Sequence, residues 1–238
     1  MKRHGVAILI LLAFFFGARA VAVAAEATAG ADFVSAYVWR GITFNDGRVV
    51  QPHVDVAAEQ FSINVWGNYD IDDYDNTRDD NAFSEIDLTL SYTLPLESVD
   101  MSMGHISYLF PNGGTETSEI FLSAFVSGSG NMSVGIDGYY DYDDIEDYYV
   151  SVTLAYDVVL DNGLGVGASA SAGYAGEDFS SGPEKGWHEY TLTLDASYPL
   201  GRTFDLSAFI ATTDTLDEDV LPEQDVDYFG GGGFSWHF

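Results

Sequence analysis

The chain has 238 residues, no cysteine, and 38 acidic against 8 basic side chains, a formal net charge of −30. With so few cations nothing could neutralise a phosphate backbone, which excludes nucleic-acid binding as a main activity. No cysteine means no disulfide framework and no thiolate metal site, so sheet pairing and burial must carry stability. An acidic surface also suits a saline habitat, where charge keeps proteins soluble, so acidity alone assigns no function.

Lys2 and Arg3 precede an unbroken apolar run over 6–16, followed by a small-residue stretch over 17–25. That order is a secretory signal. A membrane anchor needs about 20 apolar residues, and Arg19 interrupts the run too early. Cleavage is expected after Ala24 or Ala25, with Ala20 a further option, giving a signal peptide over 1–25 and one domain over 26–238. Losing Lys2, Arg3 and Arg19 shifts the net charge from −30 to −33 and leaves Arg40, Arg48, Arg78, Lys185 and Arg202.

Beyond the signal the apolar residues recur at period 2, the pattern of strands. Phe61, Ile63 and Val65 alternate with Ser62, Asn64 and Trp66; Ile86, Leu88, Leu90, Tyr92 and Leu94 with Glu85, Asp87, Thr89, Ser91 and Thr93. The same holds for Met132–Val134–Ile136, for Tyr148 to Tyr156, and for Tyr190 to Tyr198. In 164–174 the second face carries only Gly and Ser, which leaves space. The apolar face of 98–110 changes near Gly104-His105, as a bulge would cause.

About twelve strands are predicted, near 32–41, 49–58, 61–70, 83–94, 98–110, 117–127, 131–140, 148–158, 164–174, 187–199, 203–212 and 228–238, with 10 to 14 allowed. The first two are the weakest, because Pro52 fits poorly in a central strand. The connections alternate. Long ones occupy 42–48, 71–82, 111–116, 141–147, 175–186 and 213–227. Short ones occupy 59–60, 95–97, 127–130, 160–163 and 201–202.

That parity is what an up-and-down barrel imposes, with short turns at one rim and long loops at the other. A soluble Greek-key sandwich has no reason to show it. Tyr148 and Tyr156 bracket Val150, Val152 and Leu154, and Tyr190 and Tyr198 bracket Leu192, Leu194 and Ala196. Eight residues span roughly 26 Å of strand, or about 20 Å of height after tilting, close to the apolar band between two aromatic girdles. Tyr228, Phe234, Trp236 and the terminal Phe238 share one face. A terminal aromatic after alternating aromatics looks like the signal read by the barrel-assembly machinery. The expected fold is therefore all-β: a single antiparallel up-and-down transmembrane β-barrel in a bacterial outer membrane.

The segment around Tyr37, Trp39, Arg40 and Gly41, followed by Asp46-Gly47 and a strand from Val50, resembles the opening of the TorF-type porins. These are conserved bacterial outer-membrane proteins of unknown function. The resemblance implies an outer-membrane barrel, suggests a pore, and brings no catalytic residues.

Parity puts His53, Asp55, Glu85, Asp87, Glu119, Asp137, Glu189 and Asp195 on the lumen face as pore-lining candidates. An acidic lumen would favour cations, as acidic rings do in channels. No cofactor is expected beyond loosely bound divalent cations. Asp72, Asp73, Asp75, Asp143 and Asp144 are weak loop ligands, since 73–84 lacks both the Gly at position six and the Glu at position twelve of a calcium loop. Solvated loops bridged to lipopolysaccharide by such ions are the better expectation. His105 with Ser107, and His188 near Glu189, supply catalytic residue types without evident geometry. The expected activity is passive diffusion of small cationic or neutral solutes. A closed barrel whose acidic loops bind ions or a surface partner is the alternative, and a barrel enzyme comes third. Periplasmic chaperones and the assembly machinery are the expected partners during biogenesis.

Overall fold

A computed structural model describes residues 25–74 and 81–238. The signal-peptide expectation over 1–24 and Asp75 lie outside the described residues. Twelve strands hydrogen-bond each to the next until the last meets the first. In chain order they are β1 (Glu26–Val34), β4 (Val49–Ala58), β5 (Phe61–Asp70), β6 (Ala82–Leu94), β7 (Asp100–Leu109), β8 (Thr117–Ser127) and β9 (Met132–Asp141). The circuit continues through β10 (Tyr148–Val159), β11 (Gly165–Ala175), β12 (Gly186–Leu200), β13 (Phe204–Thr215) and β14 (Tyr228–His237). A separate hairpin, β2 (Tyr37–Trp39) with β3 (Ile42–Asn45), interrupts the connection from β1 to β4.

Closure runs through β1, which pairs with β4 from Glu26↔Ala57 to Val34↔Val49 and with β14 from Thr28↔His237 to Val34↔Gly231. Ala27 and Phe238 exchange backbone hydrogen bonds of 3.2 and 3.0 Å at the seam. With no open edge, every wall strand is paired on both sides, the condition for crossing hydrocarbon. The chain is an all-β protein built as a closed twelve-stranded antiparallel barrel.

Pleating sends alternate residues to opposite sides of this wall. Outward go Val152 and Leu154, Leu192 and Leu194, Leu206 and Ile210, all exposed; Leu194 is 55% exposed and Ile210 64%. Such a continuous apolar belt has no place in water and suits lipid. Tyr148 and Tyr156, and Tyr198, flank the belt on the same outer face. Phe204 stacks on Trp236 with ring centroids 6.0 Å apart, and Trp236 meets Phe238 at 5.1 Å, forming the girdle at the turn end.

Two expectations are corrected. The first strand is 26–34, not 32–41, and the Tyr37–Gly41 segment leaves the wall. Arg40 and Gly41 have φ of 50° and 77°, and Trp39 pairs with Ile42 across them. Two left-handed residues make the tight turn whose twist suits a hairpin, so the chain reverses where a longer strand was expected. Second, no register shift occurs along β7. The polarity change there is one of residue type: Ile106 points inward, while His105 and Ser107 point outward. The shifts fall instead between Asn68 and Tyr69 opposite β6, and between Ala172 and Tyr174 opposite β12. The strand predicted at 49–58 forms as β4, with Pro52 accommodated inside it. The β4–β5 pairing skips Gln51 and Pro52, so the missing N–H costs no ladder bond there, and Gln51 Nε2 bridges to Asn68 Oδ1 at 3.1 Å.

Candidate functional site

Within the wall, polar side chains concentrate on the inner face. By register His53, Asp55, Glu85, Asp87, Glu119, Asp137, Glu189 and Asp195 all occupy inner-face positions of β4, β6, β8, β9 and β12. The structure does not bring them together as one ring. Glu85, Asp87, Glu119 and Glu189 lie toward the loop end. Asp55, Asp137 and Asp195 lie toward the turn end, where Asn64 Nδ2 donates to Asp55 at 2.8 Å and Ser123 donates to Asp137. Among the described residues none of these three pairs with Lys or Arg.

The loop end is filled by the β2–β3 hairpin, which bends into the lumen. Tyr37 packs on Phe44 and Trp66, with centroids 5.4 and 5.5 Å away, and its hydroxyl donates to Glu85 Oε2 at 3.0 Å. Asn45 Nδ2 donates to Asp70 at 2.6 Å. Thr43 N donates to Gln224 Oε1 at 2.9 Å. At the tip, Arg40 Nη1 and Nη2 donate to the two oxygens of Glu119 at 2.7 and 2.9 Å. Tyr108 adds a third bond to that carboxylate at 2.8 Å. The Arg40 guanidinium carbon lies 4.1 Å from the Trp39 ring centroid, 4.0 Å from Tyr139, 4.6 Å from Tyr149 and 5.3 Å from Phe179. A planar fork on a carboxylate inside aromatic faces uses both strengths of arginine. Gly41 is required twice over. Its φ is left-handed, and a Cβ there would come within 2.6 and 2.7 Å of the Glu189 side chain.

A second cluster abuts the first. Tyr149 donates to Glu189, and His188 Nδ1 lies 2.7 Å from the other carboxylate oxygen. Phe179, from the β11–β12 connection, and Val220, from the β13–β14 connection, are buried with Tyr149 and Ala175. Long connections thus fold inward over the hairpin. The Gly/Ser face of β11 is partly occupied: a Cβ on Gly173 would lie 2.5 Å from the Tyr149 hydroxyl oxygen. Below the tip a cavity of about 470 Å³ remains, lined by Trp39, Trp66, Asp87, Tyr108, Tyr139, Tyr149 and the hydroxyls of Thr89, Ser151, Thr153 and Ser171.

Trp66, Tyr108, Tyr139 and Tyr149 were not among the sequence candidates. Their signal was parity: each sits on the polar-facing register, where an aromatic has no lipid to meet. Phe179 carried no such signal, because its place depends on a loop's path.

The loop carboxylates each take nearby donors rather than gather. Asp72 takes the Arg48 side chain at 2.6 Å, a bond that raises the arginine's pKa. Asp141 Oδ1 accepts from the backbone N–H of Asp143, Asp144 and Ile145 at 3.0, 3.2 and 3.2 Å. Asp147 Oδ2 accepts from Asp178 and Phe179 at 2.7 and 3.1 Å. Among the described residues no three acidic or histidine side chains, Asp72, Asp73, Asp143 and Asp144 included, form a metal-ligand group. His105 faces outward with Nε2 2.6 Å from the Tyr142 hydroxyl.

A closed twelve-stranded barrel with an apolar belt, aromatic girdles and a polar lumen has the architecture of the outer-membrane porins. No family model and no curated protein sequence matches the chain. Solved structures do. A KdgM porin in complex with disordered oligogalacturonate aligns at TM-score 0.57 and 8% identity, over 90% of this chain and 99% of that one. An outer-membrane channel from Pseudomonas putida F1 aligns at 0.55 and 10%, over 92% and 97%. A NanC porin aligns at 0.53 and 9%, over 90% and 98%. At these identities the likeness is one of fold.

Proposed function

We propose that the chain is an outer-membrane diffusion channel for small cationic or neutral solutes, narrowed at its loop end by the β2–β3 hairpin. One observation carries the solute class. Among the described residues the lumenal Arg40 is neutralised by Glu119, whereas Asp55, Asp137 and Asp195 face the turn end with no Lys or Arg partner. The segment that resembles the TorF-type porins is the constriction itself, which makes membership of that family part of the same proposal. A closed barrel is the second reading, favoured by the burial of Phe179, Val220 and Leu221 beneath the outer loops.

Planar-bilayer recordings under a potassium chloride gradient test both. The expected result is a small conductance with a cation-selective reversal potential; no conductance overturns the channel. A unit charge about 4 Å from an ion in water is worth about 1 kcal/mol, roughly a factor of five. Replacing Asp55, Asp137 and Asp195 by asparagine together is therefore expected to lower the potassium-to-chloride ratio at least about fivefold. An unchanged ratio would mean these carboxylates do not line the path.

Phe234, Trp236 and Phe238 are proposed as the assembly signal, through their alternate outward placement at the seam strand. Deleting Phe238 is expected to cut the amount of inserted barrel several-fold, scored by the heat-modifiable band in outer-membrane fractions. It also removes the seam bonds to Ala27. A Phe238→Ala variant keeps those bonds and isolates the ring. Normal insertion of that variant would remove the ring from the signal.

A further inference from the structure

We propose that the aromatic cage around Arg40 is a transit site for guanidinium-bearing solutes, occupied at rest by the protein's own side chain. The proposal rests on the channel reading and adds a substrate class to it.

The cage has the chemistry of a cation receptor. The guanidinium lies against four rings, within 4.0 to 5.3 Å of their centroids, the geometry of cation–π attraction. Both oxygens of Glu119, whose side chain is 1% exposed, take the planar fork. A compact ammonium cannot match two parallel N–H donors to one carboxylate, so the site discriminates by shape as well as by charge. Directly beneath lies the 470 Å³ cavity, where Asp87 Oδ1 is buried without a hydrogen-bond partner. That carboxylate oxygen could take further donors of a solute on its way through.

The hairpin and its Arg40 side chain are fastened separately. The base of the hairpin is fastened by Tyr37 to Glu85 and by Asn45 to Asp70. At the tip the Arg40 side chain is held by the cage and Glu119, and it is the tip that narrows the lumen. A solute therefore needs to displace one side chain, not the hairpin. A free guanidinium solute offers the cage the same planar fork, so it competes for the same carboxylate and rings. The wall carboxylates at the turn end would hold such a cation after it leaves the cage.

The test uses purified full-length barrel in detergent, with ethylguanidinium chloride as probe and ethylammonium chloride as control. Trp39 and Trp66 fluorescence reports binding, and heat-modifiable migration confirms folding of each variant. Arg40→Ala is expected to bind ethylguanidinium at least tenfold more tightly than wild type, and more tightly than it binds ethylammonium. The double variant Arg40→Ala, Glu119→Gln is expected to lose at least tenfold of that affinity. Equal binding by wild type and Arg40→Ala, or no preference over ethylammonium, overturns the proposal. Should Arg40→Ala fail to assemble, Arg40→Lys decides. Lysine vacates the fork, so binding at least threefold above wild type supports the cage and no change overturns it. A barrel that passes potassium in bilayers but binds no guanidinium loses this proposal alone. One that binds ethylguanidinium in Arg40→Ala yet never conducts loses the channel reading, and transit with it.

Discussion

Replacing Glu119 by alanine is expected to destabilise the barrel by about 3–5 kcal/mol, the cost of leaving a buried charge without its partner, and to raise its conductance. Three donors lose their acceptor at once: both Arg40 nitrogens and the Tyr108 hydroxyl. Arg40 has little recourse to water, since its side chain is 9% exposed. The guanidinium must then leave the cage, which loosens the tip that fills the lumen. Urea unfolding in phospholipid vesicles measures the first effect and single-channel recording the second, with at least a doubling of conductance expected. The double variant Arg40→Ala, Glu119→Ala removes both charges and is expected to recover part of the lost stability, because coupled groups are not additive. A destabilised Glu119→Ala barrel with unchanged conductance would place the hairpin tip off the ion path.

The wall was legible because it obeys one local rule. Lipid outside and water inside impose period 2 on every strand, and topology imposes parity on every connection. Tyr148 to Tyr156 and Tyr190 to Tyr198 therefore announced both the outer face and its height without any knowledge of neighbours. The hairpin obeys no such rule. Tyr37 and Trp39 alternate as a wall strand would, and only the left-handed pair Arg40-Gly41 distinguishes a three-residue strand from a ten-residue one. What holds that turn in the lumen is Glu119, 79 positions further along the chain, a pairing that no local pattern encodes. The same gap explains the acidic residues. Parity gives the side of the wall for Glu85, Glu119 and Asp137 alike, but not that Glu119 is consumed by Arg40. Likewise the aspartates of the loops looked like ligands in sequence, whereas Asp141 takes backbone N–H groups and the Thr117 hydroxyl, and Asp147 takes backbone N–H groups.

Two adjacent residues of β12 test the orientation of the wall with opposite outcomes. Leu194 points outward between Ile210 and Ala168 of the flanking strands, midway between Tyr190 and Tyr198. Thr193 points inward, opposite Ser169 and Ala211. An arginine facing lipid near the midplane of a barrel costs about 2–4 kcal/mol, a factor of roughly 30 to 1,000 in the folded ratio at about 1.4 kcal/mol per decade. Leu194→Arg is therefore expected to lower stability in phospholipid vesicles by that amount, read from the urea midpoint at constant slope. Thr193→Arg puts the same charge in the aqueous lumen, close to Asp195 on the same inner face. It is expected to change stability by less than about 1 kcal/mol and to reduce the potassium-to-chloride ratio instead. Were the barrel a soluble sandwich, Leu194 would be a surface leucine whose replacement stays within about 0.5 kcal/mol. Equal losses for the two variants would mean that the faces of this wall are not divided between lipid and water as the alternation of its side chains requires.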